Sequence, residues 1–114
     1  RAVAVVSQLP QLIALVLCQQ AALVDHALEL AGPAFRNLSR LASSSSPLWY
    51  DIFTSNSDMV REAIAEIERR LGEARAELEN TGLGPQFEAA KKALDGYPDL
   101  QATQQSREAD RRLP

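Results

Sequence analysis

A chain of 114 residues and 12.5 kDa has room for one domain; a dinucleotide-binding domain joined to a substrate domain needs roughly two to three times that length. Hydrophobic residues at 46% and charged residues at 24% describe a chain that folds, and sparse aromatics at 5% leave its core to Leu, Ile, Val and Ala. Twelve Lys and Arg against fifteen Asp and Glu give a net charge of −3, which supplies no general electrostatic reason to bind nucleic acid or an anionic membrane.

The single cysteine, Cys18, excludes an internal disulfide and a cysteine-based structural zinc site and fits a reducing, cytoplasmic setting. The opening Arg1-Ala2-Val3-Ala4-Val5-Val6 lacks the charged region and the cleavage site of a signal peptide, and resembles a cut through a longer chain better than a natural start. The longest unbroken apolar run is Leu12 to Cys18, short of the ~20 residues a bilayer requires, so no membrane span is expected.

Residues 2–31 are the most apolar part, with hydrophobic side chains on nearly every face between Leu9 and Leu30. Such a helix belongs at the centre of a bundle, covered on all sides. Pro10 either starts the main helix, with Ser7 as its cap, or kinks a longer one. Gly32-Pro33 is expected to end that helix, and Pro33 to open a short one through about Leu41. Ser46-Pro47 reads as an N-cap followed by a first-turn proline, opening a helix Pro47–Thr54 with Leu48, Trp49, Ile52 and Phe53.

Asn56 or Ser57 caps the next helix. Its residues Val60, Ile64, Ile67, Leu71, Ala74 and Leu78 alternate spacings of four and three, an unbroken heptad stripe, with Glu66 and Arg70 as an i,i+4 pair on the opposite face. Asn80-Thr81-Gly82 stops it. A last helix, Pro85–Asp95, carries Phe87, Ala90 and Leu94 on one face and ends at Gly96. No segment alternates with a period of two. The expectation is an all-α helical bundle over residues 1–96, with a long central apolar helix and a long heptad helix, followed by a poorly ordered polar tail over 97–114. The first helix has more apolar face than the others can cover. An intertwined homodimer therefore answers the pattern better than a compact monomer.

Catalytic inventory is thin. His26, the only histidine, follows Cys18 by eight residues with no third group to orient the pair, and Cys18 in its apolar run reads as a buried structural thiol. Asp25-His26 reads as a solvated or capping pair, and ligands at i and i+4 are lacking, so no metal is expected. No Gly-x-Gly-x-x-Gly and no phosphate loop occurs, so no dinucleotide is held by this chain. The unusual stretch is Phe35-Arg36-Asn37-Leu38-Ser39-Arg40-Leu41-Ala42. Two arginines four residues apart share a face of a short helix, and a planar guanidinium grips a carboxylate through two parallel hydrogen bonds. The plainer reading is a surface helix whose arginines are solvated or paired with Asp25, Glu29 or Asp51.

Three stretches occur in order: Val6-Ser7-Gln8-Leu9-Pro10-Gln11-Leu12, then Phe35 to Ala42, then Leu48-Trp49-Tyr50-Asp51-Ile52-Phe53-Thr54-Ser55-Asn56. Together, over about residues 1–80, they resemble the C-terminal helical domain of prephenate and arogenate dehydrogenases. That resemblance implies a homodimer built through the helical domain. It also implies a separate Rossmann domain that binds NAD or NADP and supplies the catalytic histidine. The implied reaction is oxidative decarboxylation of prephenate or arogenate in tyrosine biosynthesis.

Arg40 matches the family arginine that binds a substrate carboxylate, Asn37 and Ser39 align beside it, and Trp49 aligns near the same cleft. Gln8 and Gln11 stand where the family usually has histidines, and Asn37 where it has an aspartate. Glutamine hydrogen-bonds but does not titrate, so these changes fit an arogenate-preferring or otherwise diverged member as well as a prephenate enzyme. The rival from another class is a helical interaction module with no active site, or a regulatory relic of the enzyme.

Overall fold

A computed structural model describes residues 1–100, and residues 101–114 of the expected tail lie outside the described residues. The described residues form helices and no strands, the all-α architecture that the sequence pattern requires. The backbone divides into two compact units, residues 1–69 and the residues from Arg70 onward, with the boundary inside one long helix.

The first unit opens with a π-helical turn, Ala4–Gln8, that runs directly into α1, Leu9–Ala22. Pro10 explains the wide turn. It has no N–H to donate, and in a regular helix its ring presses on the carbonyl four residues back, that of Val6. Widening the turn lets the Leu9 N–H reach the Ala4 carbonyl, five residues back, so the helix passes the proline without stopping. Pro10 thus lies near the start of α1 with helical backbone already before it. Ser7, inside the π turn, makes no cap.

The expected helix end is wrong by several residues. α1 finishes at Ala22, not at Gly32, and the Leu23 and Val24 N–H groups turn back onto the Gln20 and Ala21 carbonyls. His26 then adopts a left-handed backbone (φ 64°), followed by a 3₁₀ turn at Leu28–Leu30. The polar Asp25-His26 pair sits in solvent at this reversal, and histidine is among the residues that tolerate φ > 0 better than branched side chains do. Composition hid the break, because Leu23, Val24, Leu28 and Leu30 look helical and buried; in the chain all four are exposed.

Gly32, in extended backbone, is the N-cap of α2, Pro33–Ala42. α3 follows at Ser46–Ser55, with Ser45 rather than Ser46 at the cap position and Pro47 in the first turn. α4, Ser57–Thr81, begins after Asn56, whose carbonyl accepts the Val60 N–H. The core gathers Ala4, Leu9, Val60 and Ala63, with Leu12, Ile13, Phe53, Met59, Ile64 and Ile67 packed against it. Small residues at Ala4 and Ala63 let elements approach closely, and Leu9 is the largest side chain in the buried cluster. Arg1 reaches Glu62 at 3.9 Å over the edge of this core.

α1 is not covered on all sides within one chain. Ala4, Gln8, Leu9, Gln11 and Ala14 are buried, while Val6 is 74% exposed and Val16 52% exposed on the other faces. By length and composition Ala4–Ala22, with mean hydropathy 1.3, is sufficient to cross a membrane, a property that the count of unbroken apolar residues did not register. The core helix of a soluble protein meets the same criterion. Here two of its glutamines are buried and spend hydrogen bonds on the protein itself.

In the second unit α4 continues to Thr81, and Gly82 and Leu83 both take left-handed backbone to stop it, at the stop expected from Asn80-Thr81-Gly82. α5 follows at Gly84–Leu94. Its expected apolar face is open, with Phe87 64% exposed. The heptad stripe of α4 itself divides. Val60 is buried and Ile64 and Ile67 are half-buried, whereas Leu71 and Leu78 are exposed. The ion pair shown for Glu66 is with Arg69, Nη2 to Oε2 at 3.0 Å, one position earlier than the Arg70 expected from i,i+4 spacing.

Candidate functional site

α2 is amphipathic. Phe35 and Leu38 are half-buried, while Arg36, Asn37 and Arg40 are exposed. Arg40 lies in the last turn, where a cation also complements the partial negative charge of the helix C-terminus. Among the described residues neither Arg36 nor Arg40 has an acidic side chain within ion-pair distance, so Asp25, Glu29 and Asp51 do not neutralise them. Glu29 instead faces His26, Nδ1 to Oε2 at 3.3 Å, in a fully hydrated setting.

Ser39 is half-buried and donates its hydroxyl to the Arg36 carbonyl at 2.8 Å. Ser43 does the same toward the Ser39 carbonyl. These bonds tie the hydroxyls to their own helix and leave the Ser39 oxygen as an acceptor. Trp49, half-buried on α3, stacks in tilted fashion on Phe53, ring centroids 5.4 Å apart, which joins it to the core through Phe53.

Gln8 and Gln11 are the most informative of the expected site residues, because both turn inward. Gln11 is 3% exposed, and its Nε2 donates to the Leu41 carbonyl at 2.6 Å. That carbonyl belongs to the last turn of α2, where the helix has no N–H of its own left to offer except through tightened turns. It accepts from the Ser43 and Ser44 N–H groups as well, the latter at 3.1 Å. Gln8 is 6% exposed, and its Oε1 accepts from Asn56 Nδ2 at 2.8 Å. No buried side-chain nitrogen or oxygen among the described residues lacks a partner. Satisfied burial is what makes glutamine tolerable here. Removing one partner of such a buried bond costs about 1–3 kcal/mol.

The family resemblance implied Gln8, Gln11, Asn37, Ser39, Arg40 and Trp49 as neighbours of a substrate. The structure brings Gln11 to the residue after Arg40, and Gln8 to the junction of α3 and α4 beyond Trp49. The sequence reading missed Asn56 as a partner in this set, although an amide pair spaced i,i+3 on an apolar helix was the available sign. Cys18 is half-buried and free rather than fully buried. No group of three His, Cys, Asp or Glu gathers among the described residues.

The described residues contain no strand, and so no strand–glycine turn–helix unit of the kind that cradles a diphosphate. Gly32 caps α2 and Gly84 opens α5, and each is followed by a proline that removes an N–H from the helix start.

No curated protein and no solved structure matches the chain. One family model does, over residues 1–91, reaching past the three motifs into α5; its description is prephenate dehydrogenase, dimerization domain. With most of its length matched, the chain belongs to the prephenate dehydrogenase dimerization-domain family.

Proposed function

We propose that this chain is the helical half of an NAD(P)-dependent prephenate or arogenate dehydrogenase, and that it dimerises the enzyme and closes one side of its active site. The cofactor, NAD or NADP, and the hydride-accepting chemistry belong to a separate Rossmann domain, working with this helical one in the cytoplasm. The chain's own part is binding. Arg40 holds a carboxylate of the substrate, with Asn37 and Ser39 beside it and Trp49 on the neighbouring helix.

The observation that carries this reading is the state of Arg40: exposed at the end of a helix, without an acidic partner among the described residues, and next to a backbone carbonyl gripped from α1. A free guanidinium on an anchored segment is suited to an anionic ligand, since little conformational freedom is lost on binding. Exposed apolar side chains on α1, and at Leu71 and Leu78 on α4, support a second copy as the partner.

Arg40→Ala in the intact enzyme that carries this domain tests the reading. A charge-assisted hydrogen bond contributes about 1.5–3 kcal/mol, so KM for prephenate should rise roughly 10- to 100-fold. The cofactor KM should stay nearly unchanged. Equal loss of affinity for substrate and cofactor would count against the role given to Arg40.

A further inference from the structure

We infer that Gln8 and Gln11 are positioning residues, a pair of latches on one turn of helix that set the segment carrying Arg40 and Trp49, rather than groups that touch the substrate. The pair lies at i,i+3 on the buried face of the first helix, so both amides emerge on the same side about one turn apart. Each takes hold of a helix end. Gln11 donates to the Leu41 carbonyl in the last turn of α2. Gln8 accepts from Asn56, which terminates α3 and whose carbonyl starts α4.

Between those two attachments lie the last residue of α2, the loop after it and α3, residues 42–55, and Arg40 stands one residue outside. That stretch has few other anchors. Pro47 offers no N–H, and Ser45 makes no side-chain cap. Leu48 and Tyr50 are exposed, leaving Trp49, Ile52 and Phe53 partly buried to hold α3. Two buried amide bonds, with 2.6 and 2.8 Å separations, therefore fix both ends of a lightly packed segment. Neither glutamine has a side chain available to solvent, at 6% and 3% exposure, so their contribution to a ligand passes through Leu41 and Asn56.

This inference rests on the assignment of Arg40 to the substrate, and the experiments separate the two. In the 114-residue chain, the Gln11 side-chain amide protons should exchange with water at least about tenfold more slowly than those of exposed Gln19 and Gln20 on the same helix. Equal exchange overturns the latch without any variant being made. Gln11→Met keeps the shape and removes the donor. It should speed exchange of the Ser44 amide about tenfold and leave the Val60 amide unchanged, with Gln8→Met doing the reverse. In the intact enzyme, Gln11→Met should raise KM for prephenate several-fold, on the order of 3- to 10-fold, with kcat held within about twofold.

If Arg40→Ala raises KM and Gln11→Met does not, the positioning role is overturned while the Arg40 assignment stands. If Arg40→Ala leaves KM unchanged, the substrate assignment fails, and the positioning role toward substrate fails with it. Slow exchange at Gln11 would then establish the latch as a purely architectural one.

Discussion

From Val60 to Ile67 the apolar stripe of α4 belongs to a core with Leu9, Leu12 and Phe53, whereas at Leu71 and Leu78 the same stripe is exposed. The heptad spacing is continuous across the change, and so is the helix. Periodicity therefore reports that a helix has a face to bury, but not which chain covers it. The proximal half is used up inside the first unit. The distal half, together with Phe87 of α5, is apolar surface with no cover among the described residues, the pattern expected of a surface that meets another protein.

The sharpest way to break this comparison is a pair of leucine truncations. Leu9→Ala should destabilise the chain by about 2–4 kcal/mol, through lost burial and the cavity left against Val60 and Ala63. Leu71→Ala, measured in urea at concentrations where the chain is monomeric, should stay within about 0.5 kcal/mol of the parent. Comparable losses at the two sites would mean that the halves are not different.

Gln8→Met comes next, at about 1–3 kcal/mol, because it strands the Asn56 amide in a half-buried site. Thermal unfolding reads it, and a neutral result would remove the amide pair from the account of the core. Leu71→Glu combined with Leu78→Glu addresses association instead. Charges on the distal stripe should weaken self-association at least about tenfold, or 1.4 kcal/mol, seen as a fall toward 12.5 kDa in light scattering. Persistence of a dimer of unchanged affinity would move the interface elsewhere.

The smallest effect is expected at His26→Gly. Left-handed backbone costs a side-chain-bearing residue about 1–2 kcal/mol, and glycine's greater freedom in the unfolded chain returns part of it, leaving a gain of about 0.5 kcal/mol. A loss there would show that the exposed His26–Glu29 pair matters more than its setting suggests.

Much of the helical framework was legible because its signals are local. Gly32-Pro33, Ser46-Pro47 and Gly84-Pro85 mark helix starts to within a residue, and Thr81-Gly82 marks an end. These depend on the φ of proline and the freedom of glycine, which are properties of the residue itself. The end of α1 was not legible. No glycine or proline stands between Ala22 and Gly32, and the apolar residues there carry no sign that they would be exposed.

The candidate site shows the same division. Arg40 could be picked out from its charge and spacing, and its exposure follows from α2 being amphipathic. The inward turn of Gln8 and Gln11 depends on where Leu41 and Asn56 arrive, 30 and 48 positions away. No local pattern carries that. It arises from the packing of α1 against α2 and α4.

The π turn at Ala4–Gln8 has a consequence for the phase of everything before it. A wide turn holds one residue more than an α-helical turn, so residues 1–3 and Ala4 are rotated by about 100° relative to the direction that a regular helix would give them. Ala4, at the start of that turn, is fully buried. Deleting a single residue within the turn would therefore act like a dial moved by one notch. It would carry Ala4 off the face it shares with Leu9, leave Pro10 pressing on a carbonyl with no slack to absorb it, and swing the Arg1 guanidinium away from Glu62.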